Sequence, residues 1–183
     1  MIIVIGGPPG SGKTTAAELY ARTHGAVLVS GGRLFREMAA ERGMDVAAFG
    51  AHAEAHHEVD RQLDAMVLAA VREHALHGRD VVVDGRIQAH LLAQAKLPAF
   101  SVLVTAPPDV RAKRIADREG KPEKRALEEI LARERSERAR YRAIYGIDME
   151  DVRVYDLELD SSEVTPEAIV RRIHEGVQAW AKR

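Results

Sequence analysis

Short runs of β-branched and other apolar residues alternate along this chain with longer segments whose apolar positions recur every three or four residues. That is the pattern of a parallel sheet wrapped by helices. Five runs are predicted strands: Ile2 to Ile5, Ala26 to Val29, Val81 to Val83, Ser101 to Thr105 and Val152 to Leu159. The first four are almost wholly apolar, as strands buried on both faces should be, and the fifth alternates more. Between the first two, Lys13 to His24 carries Ala16, Ala17, Leu19 and Tyr20 at helical spacing and closes at Gly25, a helix C-terminus.

Arg33 to Arg42, Asp45 to Ala55 and Glu58 to His77 form a helical block of about 45 residues between strands two and three, far longer than one crossover helix requires. It reads as an inserted substrate-binding unit. Arg118-Glu119-Gly120-Lys121-Pro122-Glu123-Lys124 separates a helix at Val110 to Asp117 from a highly charged one running to about Tyr145, and its Gly and Pro suggest a hinge. Thr165 is placed to cap the last helix, with Pro166 at its first position. No repeat or low-complexity linker divides the chain. Its 183 residues are read as one domain, 1–183, with two mobile appendages.

Composition narrows the function classes. There is no cysteine, which excludes a disulfide framework, a thiolate nucleophile and a Cys-ligated metal, and suits the reducing cytoplasm expected as its compartment. Lys and Arg number 27 against 28 Asp and Glu, a net charge of −1, so no global field draws the chain to nucleic acid or an anionic membrane. With 3 Phe, 4 Tyr and 1 Trp there are few platforms on which to stack bases. The run Ile2 to Ile5 is too short for a signal h-region, and no apolar stretch approaches a membrane span. A small-molecule ligand and a monomeric state are expected.

The sharpest motif is Gly7-Pro8-Pro9-Gly10-Ser11-Gly12-Lys13-Thr14, which fits G-x-x-x-x-G-K-[ST] directly after a predicted strand and directly before a predicted helix. The glycines allow backbone N–H groups to point inward at phosphate oxygens, and the helix adds its positive end. Lys13 supplies charge at the β and γ phosphates, and the Thr14 hydroxyl is a ligand for Mg2+.

Further candidates lie at other strand ends. Asp84 follows Val81-Val82-Val83, at the carboxyl end of a strand expected beside the P-loop strand, where it could hold a Mg2+-bound water, while Arg86 could reach a phosphate. A plain Asp-Gly turn is the competing reading. Ser30 opens the helical block as a cap, or as a contact to a second substrate, with Arg36 further along. Five arginines, at 133, 135, 138, 140 and 142, crowd the charged helix. Arg133, Glu137 and Arg140 fall on one face, fit to bind charge spread over a transferring group; Arg135, Arg138 and Arg142 read as a solvated face. Arg111 and Arg114 are weaker candidates of the same kind. His52, His56 and His57 lack a metal-site pattern and are read as surface or pocket residues.

In combination these residues resemble the nucleoside monophosphate kinases, and within them the short cytidylate kinases of archaeal type. The P-loop with Thr15, Val29-Ser30-Gly31 with Leu34-Phe35-Arg36, Asp84-Gly85-Arg86, and Arg133 with Ser136-Glu137, Arg140-Tyr141 and Tyr145-Gly146-Ile147-Asp148 carry the likeness over nearly the whole chain. The resemblance implies a P-loop three-layer α/β/α fold on a five-stranded parallel sheet, an insert at about 31–77 for the nucleoside monophosphate and a short lid at about 118–142. It implies ATP and Mg2+ as cofactors and phosphorylation of CMP and dCMP. It assigns ATP to residues 7–15, CMP contacts to Ser30, Arg36, Arg86, Glu137 and Arg140, and catalysis to Lys13, Arg86, Arg133 and Arg140. Bacterial members place Asp after the triplet Arg to help read cytosine. Here that position is Ile87, so Asp60, Arg61 or Gln88 are the candidates for that contact.

Three other readings stay open from the residues alone. One is a nucleoside monophosphate kinase for AMP or UMP. A second is a kinase for a sugar or shikimate-like alcohol, which shares the P-loop but needs only one arginine group. The third is a nucleotide-dependent switch or assembly factor, whose slow hydrolysis would rise only with a partner.

Overall fold

The computed structural model describes residues 1–182. The chain runs β1 (Ile2–Gly6), α1 (Lys13–His24), β2 (Val27–Ser30), α2 (Gly31–Glu41), α3 (Val46–Ala55), α4 (Glu58–Leu76), β3 (Val81–Gly85), α5 (Gln88–Gln94), β4 (Phe100–Thr105), α6 (Pro108–Glu119), α7 (Glu123–Tyr145), β5 (Leu157–Asp160) and α8 (Pro166–Trp180). The five strands form one sheet in the order β2-β3-β1-β4-β5, and every pairing is parallel. The expected three-layer α/β architecture is thus observed.

Alternation along β1 explains the two helical layers. Ile3 and Ile5 point to the side of α1 and α8, where they pack with Ala17, Tyr20, Leu159 and Ile173. Ile2 and Val4 point the other way, against Val67 and Val71 of α4 and Leu92 of α5. Because both faces are covered, β1 is buried at every position, which is why its sequence is uninterrupted Ile-Ile-Val-Ile. β1 lies at the middle of the sheet, so the loop leaving its carboxyl end emerges over the centre of that edge.

α4 has a divided role. Its later residues Val67 and Val71 are built into the sheet core, while Val59 and Leu63 pack with Met38, Ala39, Phe49 and Ala53 in a separate small core of α2, α3 and α4. One helix therefore anchors the helical block to the sheet. α6 and α7 pack through Ala112, Ile115, Ala116, Ala126 and Ile130. Gly120 caps α6 in a left-handed conformation, leaving a three-residue connection to α7. The far end of α7 rests on α5, with Tyr141 against Ile87 and Leu91.

The expected helix ends are found. Ser30 caps α2, its Oγ accepting from the Arg33 N–H at 3.3 Å, and Thr165 caps α8 in the same way through Ala168.

The fifth strand departs from expectation. Val152–Val154 form a 3-10 turn and the strand begins only at Leu157. Asp151 is the cause: its carboxylate accepts from the Arg153 N–H at 3.1 Å and from the Arg153 guanidinium at 2.8 Å, drawing the backbone into a turn. Beyond the turn, Tyr155 packs over Gly6, whose missing side chain leaves room for the ring. Helix α5, between β3 and β4, is a further element that the hydrophobic pattern did not single out.

Candidate active site

Residues 7–12 cross from β1 to α1 in a conformation open mainly to glycine. Gly7 has φ +150°, and a Cβ there would lie 2.1 Å from the Val104 carbonyl oxygen; at Gly10, with φ +81°, it would lie 2.7 Å from the Arg111 carbonyl oxygen. The loop is therefore pressed onto β4 and α6. Two arginines hold it there. Arg111, buried, donates to the carbonyls of Ala106 at 2.9 Å and Pro9 at 3.1 Å and pairs with Glu134 at 2.6 Å. Arg114 donates to Ser161 and, at 3.4 Å, to the Gly10 carbonyl. These weaker sequence candidates brace the loop, and their guanidinium groups are spent on protein.

Asp84 stands at the meeting point of the two halves. In the sheet it lies in register with Ile5 of β1 on one side and Ser30 of β2 on the other. It is 2 % exposed, and its Oδ2 accepts from Thr14 Oγ1 at 3.0 Å and from Ser30 Oγ at 2.9 Å. Its Oδ1 is buried with no partner among the described residues. An orphaned carboxylate oxygen beside a threonine hydroxyl, with only oxygen donors present, fits a hydrated Mg2+.

The charges around Lys13 are tightly interlocked. Arg86 donates through Nε to Glu137 at 2.6 Å and through Nη1 to the Gly7 carbonyl at 2.7 Å, and Arg133 donates to the other oxygen of Glu137 at 2.7 Å. Burial tends to raise the Glu137 carboxyl, but Arg86 and Arg133 outweigh it and hold the pKa at about 2. Desolvation lowers the Lys13 ammonium to about 8, with Arg86 and Arg133 adding to the fall and Asp84 opposing it. An anion placed here would meet a preassembled positive cluster.

On the helical block, Arg36 is exposed, and its Nη1 lies 3.6 Å from where a Gly32 Cβ would be. It forms no salt bridge among the described residues. Arg140 is committed to Asp60 through Nε at 2.9 Å and to Ser136 at 2.7 Å, which ties α7 to α4. Arg138 pairs with Glu150 at the surface, as the solvated-face reading expected. His52 and His56 stack on one another, and no group of three metal-ligating side chains occurs among the described residues.

Of the three candidates for reading the base, Asp60 is taken up by Arg140, while Gln88 is buried beside a residue not singled out before. That residue is Asp64, one turn after Asp60. Its Oδ1 accepts from Gln88 Nε2 at 3.1 Å and its Oδ2 from the Tyr145 hydroxyl at 2.8 Å. Desolvation lifts its carboxyl to about 7. An acidic residue between Leu63 and Val67 on an apolar helix face was the one signal that could have found it.

A family model described as the cytidylate kinase-like family matches residues 2–163. A cytidylate kinase of Methanothermobacter thermautotrophicus is 44% identical over 168 residues, 92% of this chain and 99% of that protein. A cytidylate kinase of Methanocaldococcus jannaschii is 37% identical over 183 residues, the full length of both. Among solved structures, a shikimate kinase of Aquifex aeolicus superposes with a TM-score of 0.62 at 22% identity, covering 99% of this chain and 98% of that one; the likeness is one of fold. No helix among the described residues is long and apolar enough to cross a membrane.

Proposed function

Because the chain belongs to the cytidylate kinase-like family, we propose that it transfers the γ-phosphoryl group of ATP to CMP and dCMP. One observation carries the reading from the residues themselves. Thr14, at the start of the P-loop helix, and Ser30, at the start of the helical block, both donate to the same carboxylate oxygen of Asp84. Two phosphate-binding edges thus converge on one point at the end of the sheet.

The step is an in-line displacement. An oxygen of the CMP phosphate attacks the γ-phosphorus, the bond from that phosphorus to the β–γ bridging oxygen breaks, and ADP leaves with the electron pair. A phosphate monoester is largely dianionic at neutral pH, so no general base is required. Lys13 and the backbone N–H groups of the loop hold the triphosphate. Arg36 and the start of α2, which Ser30 caps, hold the acceptor phosphate, and Arg86 and Arg133, already fixed by Glu137, face the charge that spreads over the transferring group. Thr14 and, through water, Asp84 would hold Mg2+, which when bound would supply further neutralisation of the phosphate oxygens. Segments 31–77 and 118–142 then act as acceptor-binding insert and lid, excluding water that would otherwise accept the phosphoryl group. An acceptor that already bears a phosphate suits this double set of cations better than a sugar or shikimate-like alcohol.

A coupled ADP-release assay with Mg2+-ATP and CMP, dCMP, UMP, AMP and GMP, with shikimate and gluconate as controls, tests the reading. Selective turnover of CMP and dCMP is expected. Preference for AMP or UMP would move the substrate assignment, and the absence of any acceptor-dependent ADP would overturn it.

A further inference from the structure

The residue after the Asp84-Gly85-Arg86 triplet, Ile87, is fully buried against Leu91, Tyr141 and Ile147, and its apolar side chain has no hydrogen bond to offer a base. A base must therefore be distinguished by another group. Resting on the function proposed above, we infer that Asp64 is the specificity determinant, accepting a hydrogen bond from the exocyclic 4-amino group of cytosine.

Several features of its surroundings point the same way. Asp64 is 5 % exposed and belongs to no salt bridge among the described residues, although two arginines lie on neighbouring turns of α4 and α7. Arg140 cannot serve it, being bound to Asp60 and Ser136. Asp64 is instead held by two neutral donors, the Gln88 amide and the Tyr145 hydroxyl, one on each oxygen. The Gln88 amide is itself oriented, since its Oε1 accepts from the Ile87 N–H at 3.1 Å and its Nε2 is thereby turned to Asp64. A carboxylate oxygen accepts more than one hydrogen bond, so each keeps acceptor capacity after these contacts. A buried carboxylate without a counter-charge is costly, and the cost is explained if a ligand completes its hydrogen bonding.

The position is right for a base. Gly31, the first residue of α2, stands where a Cβ would lie 3.6 Å from Gln88 Nε2 and 3.6 Å from the Asp84 carbonyl oxygen. The Gln88–Asp64 pair therefore abuts the same helix start, capped by Ser30, beside which Arg36 receives the phosphate. A nucleotide entering phosphate-first at α2 directs its base toward α4 and α7, where Asp64 and Tyr145 meet. Cytosine and uracil differ there in sign. The cytosine amino group donates to Asp64, whereas uracil presents a carbonyl oxygen to an acceptor and leaves both unsatisfied.

The experiment is a two-way cycle. Wild type and Asp64→Asn are compared for kcat/KM with CMP and with UMP, and for calorimetric affinity toward CMP and the 2-pyrimidinone ribonucleoside 5′-monophosphate, which lacks the 4-amino group. The wild type is expected to favour CMP over both by at least about tenfold, the scale of one unsatisfied buried partner. In Asp64→Asn the CMP preference over UMP should fall by about tenfold or more, and removal of the amino group should cost much less. CMP turnover with an unchanged CMP-to-UMP ratio in the variant overturns the inference alone; no CMP turnover in the wild type overturns the proposed function and the inference together. Should Asp64→Asn not fold, equal wild-type affinity for CMP and the pyrimidinone nucleotide still overturns it. Tyr145→Phe, which releases one oxygen of Asp64, is then expected to weaken the preference several-fold.

Discussion

Arg86 and Glu137 meet at 2.6 Å, Nε to Oε2, and their contact joins the end of β3 to the middle of α7. Glu137 is buried and the Arg86 side chain is 12 % exposed, so the pair is largely shielded from salt and from water. Its worth lies in what each partner would suffer alone.

Replacing Glu137 by Gln leaves the largely covered Arg86 without its counter-charge and should cost about 3 kcal/mol of stability at pH 7. The pH dependence has a defined sign. The Glu137 carboxyl lies near 2 when folded, below its ordinary 4.5, so its contribution is complete above about pH 4.5 and is lost as pH falls toward 2. Urea unfolding of both proteins at pH 7 and pH 3 should show the difference shrinking with acid. An equal difference at both values would mean that Gln fails through shape and not charge.

Lys13→Ala should lower kcat by at least about a hundredfold while leaving the circular dichroism spectrum unchanged, since in the proposed mechanism the lysine serves the transferring phosphate and not the core. A rate near that of the wild type would remove Lys13 from the mechanism.

The same lysine should announce ATP binding through protons. Its ammonium is depressed to about 8 by desolvation. A bound triphosphate restores the charged form, so at pH 8.5 binding takes up a proton. Titration calorimetry in buffers of different ionisation enthalpy should give buffer-dependent heats for the wild type and buffer-independent heats for Lys13→Met. Heats independent of buffer in both would show Lys13 fully charged before ATP arrives.

Asp84→Asn should shift the Mg2+ concentration for half-maximal activity upward by about tenfold or more, the usual scale when a group orienting a bound metal is changed. Chelation of Mg2+ should abolish turnover. A midpoint that does not move would place the metal elsewhere.

Ser30→Ala removes both the cap of α2 and a donor to Asp84. About 1 kcal/mol of stability should be lost. The KM for CMP should rise with that for ATP nearly constant; equal changes in both would mean that the serine serves the sheet edge as a whole.

The sequence disclosed features whose signals are local. The P-loop, the Ser30 and Thr165 caps and the strand carrying Asp84 each rest on neighbouring residues, and they stand where they were expected. Val152 to Tyr155 misled because alternation alone resembles a strand, whereas Asp151 competes for the backbone and Tyr155 has a distant seat over Gly6. Helix α5, with 7 residues, is too short to display a period. Asp64 was hidden for a third reason: its partners lie 24 and 81 positions away, so its meaning exists only once α4, α5 and α7 have come together.

The shared oxygen of Asp84 has a consequence for how such a chain can diversify. Thr14 and Ser30 meet on a residue whose strand pairs rung for rung with β1 and β2, so on the proposed function the stride between donor and acceptor phosphates is dictated by the lattice of the sheet. Everything that names the acceptor's base lies on α4, α5 and α7, outside that gauge. A descendant could therefore exchange its acceptor by redrawing those helices and inherit the transfer distance unchanged.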